Sequence, residues 1–288
     1  MKKKSDKALK VLAKVRDKGD CHPAVVEEFE NMNTKIRAEL SRGMCSWGEL
    51  FGTKRIVNLV IIASILQILH MLVGISAIGY FSTQIYSNYL NIPLQKYGCW
   101  LNCISGLISF ICTIPAIRFI ENIGRRTILK AGALGLGTCM ALVTIFCAIT
   151  DKTGSRVTGW LCVASIYLFT IIYSWSWSAV TFVWQAEVFP IRMRAKANVI
   201  GSAAQYIGSI IVGASTTTLM KYLKYYTFLI YAAVGVIAFI FTHLCVRETK
   251  GIDLEDMHKL YGLENDIPYE KDIKRNINEK NDTNITKA

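Results

Sequence analysis

Six long apolar runs separated by short polar stretches dominate the chain, at about 58–86, 99–119, 129–149, 160–186, 197–219 and 226–246. A helix that crosses a bilayer needs ~20 mostly apolar residues, and each run is long enough. The pattern predicts an all-α membrane protein, with residues 56–246 forming a domain of six transmembrane helices. Ahead of it, residues 1–55 are polar and basic. Leu9, Leu12 and Val15 recur there at helical spacing, as do Val25, Phe29, Met32, Ile36 and Leu40. They read as two amphipathic helices on the cytoplasmic surface, with a solvated coiled-coil arm as the alternative. Residues 247–288 are charged and asparagine-rich and read as a cytoplasmic tail, disordered beyond about Leu263.

The boundary between the fourth and fifth runs orients the rest. Glu187, Pro190, Arg192, Arg194 and Lys196 crowd into it. Proline lacks a backbone N–H and disfavours helix in the residue before it, so a helix should end near Phe189. Cations concentrated in a short loop mark the cytoplasmic side. Alternating sides from this point puts both termini in the cytosol. It also places the turn carrying Glu121, Arg125 and Arg126 on the same side.

Composition sharpens this reading. The hydrophobic fraction is 52% and the formal charge is +12. The cations fill loops and tails between apolar runs, which is the distribution of a membrane protein and argues against nucleic acid as a partner. The first partner expected is the lipid bilayer. Nine cysteines sit mostly within apolar runs without a CxxC pair, and read as small apolar residues. No metal-ligand spacing, nucleophile elbow or phosphate loop occurs, so no enzyme, metal or cofactor is expected.

Polar side chains inside the runs are the candidate chemistry, because such groups face a bundle interior or a cavity. Gln67 and His70 share a face of the first run, followed by Gly74, Gly79 and Tyr80. That combination predicts a discontinuous, substrate-facing helix, with interhelical hydrogen bonding as the alternative. Tyr173 and Trp177, four apart in the fourth run, would share a face, as would Gln205 and Ser209 in the fifth. The charged turns recur after the second and fourth helices, the arrangement of two inverted three-helix repeats.

Several segments resemble motifs of one family. Gly74-Ile-Ser-Ala-Ile-Gly-Tyr80 resembles QQxxGxNxxxYY, Glu121-Asn-Ile-Gly124-Arg125-Arg126 resembles (D/E)xxGRR, and Glu187-Val-Phe-Pro190-Ile-Arg192-Met-Arg194 resembles ExFPxxxR. Glu248-Thr-Lys-Gly251-Ile-Asp-Leu-Glu255 resembles PETKGxxLEE, and Ser46 to Phe51 resembles the stretch before the family's seventh helix. In this order and spacing they identify the chain as similar to the C-terminal half of a fungal sugar porter of the major facilitator superfamily, from about residue 7 to 258. The resemblance implies half of a twelve-helix fold, working by alternating access on a small neutral solute, a sugar or polyol, at the plasma membrane. The chain begins roughly where the family's first half ends, so a second half-transporter or a homodimer is the implied partner.

The same resemblance implies substrate-facing positions at Gln67, His70, Met71, Ser76, Tyr80, Ser109, Phe182, Gln205, Tyr206 and Ser209. It implies a cytoplasmic gate of Glu121, Arg125, Arg126, Glu187 and Arg194. The pocket departs from the pattern. His70 and Met71 replace the paired glutamines, Ser76 replaces the motif asparagine, Ser178 and Ala179 replace a Gly-Pro pair, and Phe182 replaces a tryptophan. Losing amides removes sugar donors and acceptors, and losing Gly-Pro removes an expected hinge. A non-transporting half, truncated or decayed, and a membrane-embedded sensor are the competing readings.

Overall fold

Glycines and one serine decide where the apolar runs break into helices. The computed structural model describes residues 46–80, 82, 99–252 and 257–262, with scattered positions between 9 and 33. Most of the amphipathic arm expected over 7–40, the loop at 87–98 and the tail past 263 lie outside the described residues. After the short helix α1 (Trp47–Phe51), α2 spans Lys54–Leu72 and stops at Val73 and Gly74. Gly74 has φ +107°, and a Cβ there would lie 2.4 Å from Met140 Cε. Only glycine meets both demands. Residues 75–80 are helical again, so the first run is interrupted in its middle.

The second run is α3 (Cys99–Ile123), which contains Pro115. Gly124, at φ +98°, turns the chain directly into α4 (Arg125–Thr153). Gly154 closes α4 in the left-handed region, its N–H donating to the Thr150 carbonyl at 2.8 Å. The fourth run, expected as a single helix over 160–186, is two: α5 (Arg156–Trp175) and α6 (Trp177–Val188). The missing Gly-Pro pair therefore does not leave this run straight. Ser176 makes the break instead. Its hydroxyl donates to the Ile172 carbonyl at 2.6 Å, and its amide is shared between the Ile172 and Tyr173 carbonyls. A serine bonded back to the preceding turn bends a helix. Gly132 on α4 leaves room for it, since a Cβ there would sit 2.2 Å from Ser176 Oγ.

Phe189 is extended and Pro190 caps α7 (Ile191–Leu223), so the proline boundary falls where expected. A single 3₁₀ turn, Lys224–Tyr226, leads into α8 (Thr227–Cys245), and α9 (Met257–Leu260) follows after a polar stretch. Among the described residues, five stretches are long and apolar enough to cross a membrane: Lys54–Tyr80, Trp100–Ile120, Arg125–Thr153, Arg156–Val188 and Arg192–Cys245. The last is 54 residues long and contains both α7 and α8.

Helix α4 lies at the centre, against α5 on one side and α8 on the other. Small residues allow the α4–α8 approach: a Cβ on Gly235 would be 2.8 Å from Gly137 Cα. Gly208 likewise seats α7 on α2, against Ile68 and Met71. The shared core includes Leu136, Met140, Phe169, Trp177, Trp184 and Phe228, all fully buried. The outward faces of α3 (Trp100, Leu107, Phe110, Ile114) and α7 (Tyr206, Ile207, Ile210) are apolar and exposed.

Candidate functional site

The middle of the bundle gathers polar groups from α2, α5 and α6. His70 and Tyr173 are stacked at 5.5 Å between ring centroids, with Nε2 and the phenol oxygen 2.5 Å apart. Phe182 meets the imidazole edge-on at 5.6 Å. One turn earlier, Gln67 Nε2 donates to Gln185 Oε1 at 2.5 Å, and Gln185 Nε2 donates to the Ala197 carbonyl at 3.2 Å. Gly201 makes space for Gln185, whose amide nitrogen would be 2.1 Å from a Cβ there. Gln67 Oε1 and His70 Nδ1 are buried without a hydrogen-bond partner among the described residues. An acceptor and a second ring nitrogen are thus held within one turn of each other.

Beside this group, α3 and α5 present matched hydroxyls. Ser109 pairs with Ser174 at 2.7 Å, Ser105 approaches Thr170 at 3.5 Å, and Ser82 donates to Asn102 at 2.9 Å. The residues on α3 recur at three and four, so one face carries them all. A cavity of about 320 Å³ runs along this ladder, lined also by Ile75, Ile78 and Gly79. Among the described residues its lining holds hydroxyls, one amide and apolar side chains, with no charged group. Such a surface suits a neutral, hydroxylated ligand and rejects an ion, which would find no counter-charge.

The opposite feature, a dense charge cluster, lies where α4 begins and α6 and α8 end. Arg125 Nη2 donates to Glu187 Oε1 at 2.7 Å, and Thr249 Oγ1 donates to the other carboxylate oxygen at 2.7 Å. The Glu248 carboxylate accepts from the Arg125 N–H at 2.8 Å and the Arg126 N–H at 3.0 Å. A carboxylate on the exposed amides of a helix start is favoured by both hydrogen bonding and the helix dipole. Arg126 reaches the His243 carbonyl at 2.5 Å, and Arg194 donates to the Phe189 carbonyl at 3.3 Å. Lys250 Nζ donates to the Asn122 carbonyl. At the rim, Arg247 lies over the Tyr261 ring, whose hydroxyl burial pushes up to about 12, so it stays protonated. Nearby, Arg192 pairs with Glu49 at 3.3 Å and Lys196 sits 4.7 Å over the Trp47 ring, fixing α1 to the start of α7.

The residues expected to face substrate are thus distributed. His70 and Phe182 meet, and Ser76 donates to Met71 Sδ at 3.5 Å. Ser109 joins the ladder. Gln67, expected to face substrate, is wholly buried and turned into α6. Tyr80 and Tyr206 are 60% and 71% exposed, pointing away from the core. Gln205 and Ser209 lie half-buried on α7, and no hydrogen bond among the described residues joins them to the central group. Tyr173 and Trp177 do not share a cavity face. The break at Ser176 falls between them, and Trp177 is buried with its indole N–H on the Leu129 carbonyl at 3.0 Å. Of the five expected gate charges, Arg125 and Glu187 pair directly, Arg126 and Arg194 bond carbonyls, and the Glu121 side chain lies outside the described residues. Sequence reading missed Gln185, Ser174 and Thr170, and gave Glu248 and Thr249 no role. The i, i+4 spacing of Thr170 and Ser174 was the available signal for two of them.

The family described as "Sugar (and other) transporter" matches residues 1–261. The high-affinity hexose transporter HXT6 of Saccharomyces cerevisiae is 27% identical over 248 residues, covering 83% of this chain and 42% of that relative. The galactose transporter of the same yeast is 25% identical over 269 residues, covering 90% and 46%. A double-tryptophan mutant of XylE superposes with a TM-score of 0.68 at 25% identity, covering 81% of this chain and 48% of that one. The inward open conformation of the xylose transporter XylE from E. coli gives 0.59 at 23% identity, covering 88% and 49%. This chain spans somewhat under half the length of the relatives it matches.

Proposed function

This chain belongs to the sugar (and other) transporter family, among the sugar porters of the major facilitator superfamily, and we propose that it forms one wall of a sugar- or polyol-conducting pore working by alternating access. It is an integral, multi-pass membrane protein built as half of that fold. The observation that carries the reading is the row of Ser82, Asn102, Ser105, Ser109 and Thr170 lining a cavity of about 320 Å³, with Ser174 buried behind Ser109. Thr170 and Ser174 donate their protons to the Ile166 and Thr170 carbonyls, so the ladder meets a sugar hydroxyl chiefly with acceptor lone pairs. Gln67 Oε1 and His70 Nδ1 are the deeper partners, reached when Phe182 swings off the imidazole.

In this reading six helices cross the membrane as two inverted three-helix units, counting α5 with α6 as one crossing. Both chain ends face the cytosol at the plasma membrane, and residues 1–55 and 247–288 lie on that side. The Arg125–Glu187 pair joins the two units and belongs to the cytoplasmic gate with Arg126, Arg194 and Glu121. The exposed apolar faces of α3 and α7 support a facing partner, either a second half-transporter or another copy of this chain. Radiolabelled hexose uptake in a transporter-null host tests the proposal, with the chain expressed alone and together with a six-helix N-terminal half. Saturable uptake in either arm supports it. Absence of uptake and of hexose binding in both arms, with the protein present in the membrane, overturns it in favour of a non-transporting half.

A further inference from the structure

Two sulfurs meet in the interior away from every polar group used above. Cys147 on α4 and Cys162 on α5 are 0% and 1% exposed; in this structure both are free thiols, one donating its S–H to the other across 3.1 Å. The helices carrying them are antiparallel neighbours joined through the Gly154 turn, the end of the bundle opposite the Arg125, Glu187 and Glu248 cluster. Cys147 lies six residues before the end of α4 and Cys162 six residues after the start of α5. At 1.5 Å per residue both are about 9 Å from that turn. A second cross-link sits between them and the turn, the Thr150 hydroxyl donating to the Thr158 hydroxyl at 2.8 Å. The hairpin register is therefore held such that the two sulfurs point at each other at less than ordinary contact separation. A shift of about 1 Å brings them to the bonding distance of a disulfide.

We propose that Cys147 and Cys162 are joined as a disulfide in the mature protein, a covalent staple between α4 and α5. Once buried in apolar surroundings a thiol is a poor nucleophile, so the bond forms while the hairpin is still accessible. The donor is a disulfide of the oxidising compartment, either glutathione disulfide or a disulfide oxidoreductase. The thiolate of one cysteine attacks a donor sulfur; a mixed disulfide forms and one donor thiol leaves. The second cysteine thiolate then attacks the protein-side sulfur of that mixed disulfide, the Cys147–Cys162 bond forms, and the second donor thiol leaves. The two cysteine protons end on the two donor thiols, so the cysteines are oxidised and the donor disulfide is reduced. The staple makes the outer parts of α4 and α5 one body and leaves Ser176 as the place where the fourth run bends. The proposal rests on the orientation given above, with the Gly154 turn outside the cytosol.

The test uses the full chain in its native membranes. Free thiols are blocked with iodoacetamide under denaturing conditions without reductant, the protein is digested, and the peptides are read by mass spectrometry. The expected result is a peptide pair linked through Cys147 and Cys162, exceeding the alkylated forms by roughly ten-fold and disappearing on reduction. In the Cys147→Ser variant, Cys162 should become alkylated without reductant, a readout on the denatured chain that does not depend on folding. Recovery of both wild-type cysteines alkylated without reductant overturns the proposal. Labelling of Lys152 with an impermeant reagent reports orientation separately. Outside labelling of Lys152 with no linked peptide sinks the disulfide alone, whereas labelling only from the cytosolic side sinks the orientation as well.

Discussion

Arg125 and Glu187 meet at 2.7 Å with each side chain 15% exposed, tying the turn before α4 to the end of α6. The pair is screened from water and shares Glu187 with the Thr249 hydroxyl. Breaking such a pair leaves a charge with nowhere to go. Glu187→Arg should destabilise the protein by about 3 kcal/mol, read as a lower thermal midpoint in detergent. Adding Arg125→Glu should restore about half. Full recovery is not expected, because the new carboxylate would sit beside Glu248, which is bonded to the amide of residue 125.

Gly124 and Gly154 both have positive φ, yet they should respond differently to alanine. At Gly124 a Cβ would lie 2.7 Å from Glu248 Oε2, while at Gly154 nothing lies within 4 Å. Gly154→Ala should cost only the backbone strain, about 1 kcal/mol. Gly124→Ala should cost about 3 kcal/mol, because φ +98° with ψ +148° is a glycine-only backbone and the new Cβ also pushes the carboxylate off the helix start. Denaturation of the two variants side by side checks the ranking, and equal losses would contradict it.

The Gln67–Gln185 bond is buried at both ends, so its two halves should not be separable. Gln67→Leu leaves Gln185 Oε1 without its donor and should cost about 2 kcal/mol. Gln67→Leu together with Gln185→Leu should cost less than the sum of the single changes, because neither amide is left facing a missing partner, although the bond from Gln185 to the Ala197 carbonyl is lost. A double-mutant cycle on thermal stability measures the coupling.

Tyr173→Phe removes the hydroxyl from His70 Nε2 while keeping the stacked ring. Stability should fall by about 1 kcal/mol. If the imidazole faces solute, as proposed, the half-saturating hexose concentration should change by more than the maximal rate. Phe182→Ala should expose His70 and shift the same parameter, whereas Trp177→Ala, which empties a fully buried site, should lower stability by about 4 kcal/mol.

What could be read from the chain beforehand follows from the bilayer itself. Apolar length, proline at 190 and cations in short loops act locally, so the all-helical, membrane-spanning character, the stop near Phe189 and the charged turn were visible. The glycine interruption of the first run was visible for the same reason, because φ +107° at Gly74 is a property of one residue. The break at Ser176 was not, since it depends on a serine bonding its own preceding turn and on a glycine across the interface at 132. Gln67 shows the same limit. Its spacing from His70 placed it on a polar face, but its partner, Gln185, is 118 residues away and lies on a helix that the unbroken fourth run would have aimed elsewhere. Glu248 stood inside a recognised motif, and only the fold revealed that its task is to hold the amides of residues 125 and 126.

That grip has a consequence for the order of biosynthesis. The amides of Arg125 and Arg126 leave the ribosome more than 120 residues before the carboxylate that receives them. Until α8 has entered the lipid and Glu248 has emerged behind it, the start of α4 stays uncapped and Glu187 lacks the Thr249 hydroxyl. The charged end therefore sets last, and a nascent chain halted anywhere before residue 248 holds its helices without the clasp that fastens them.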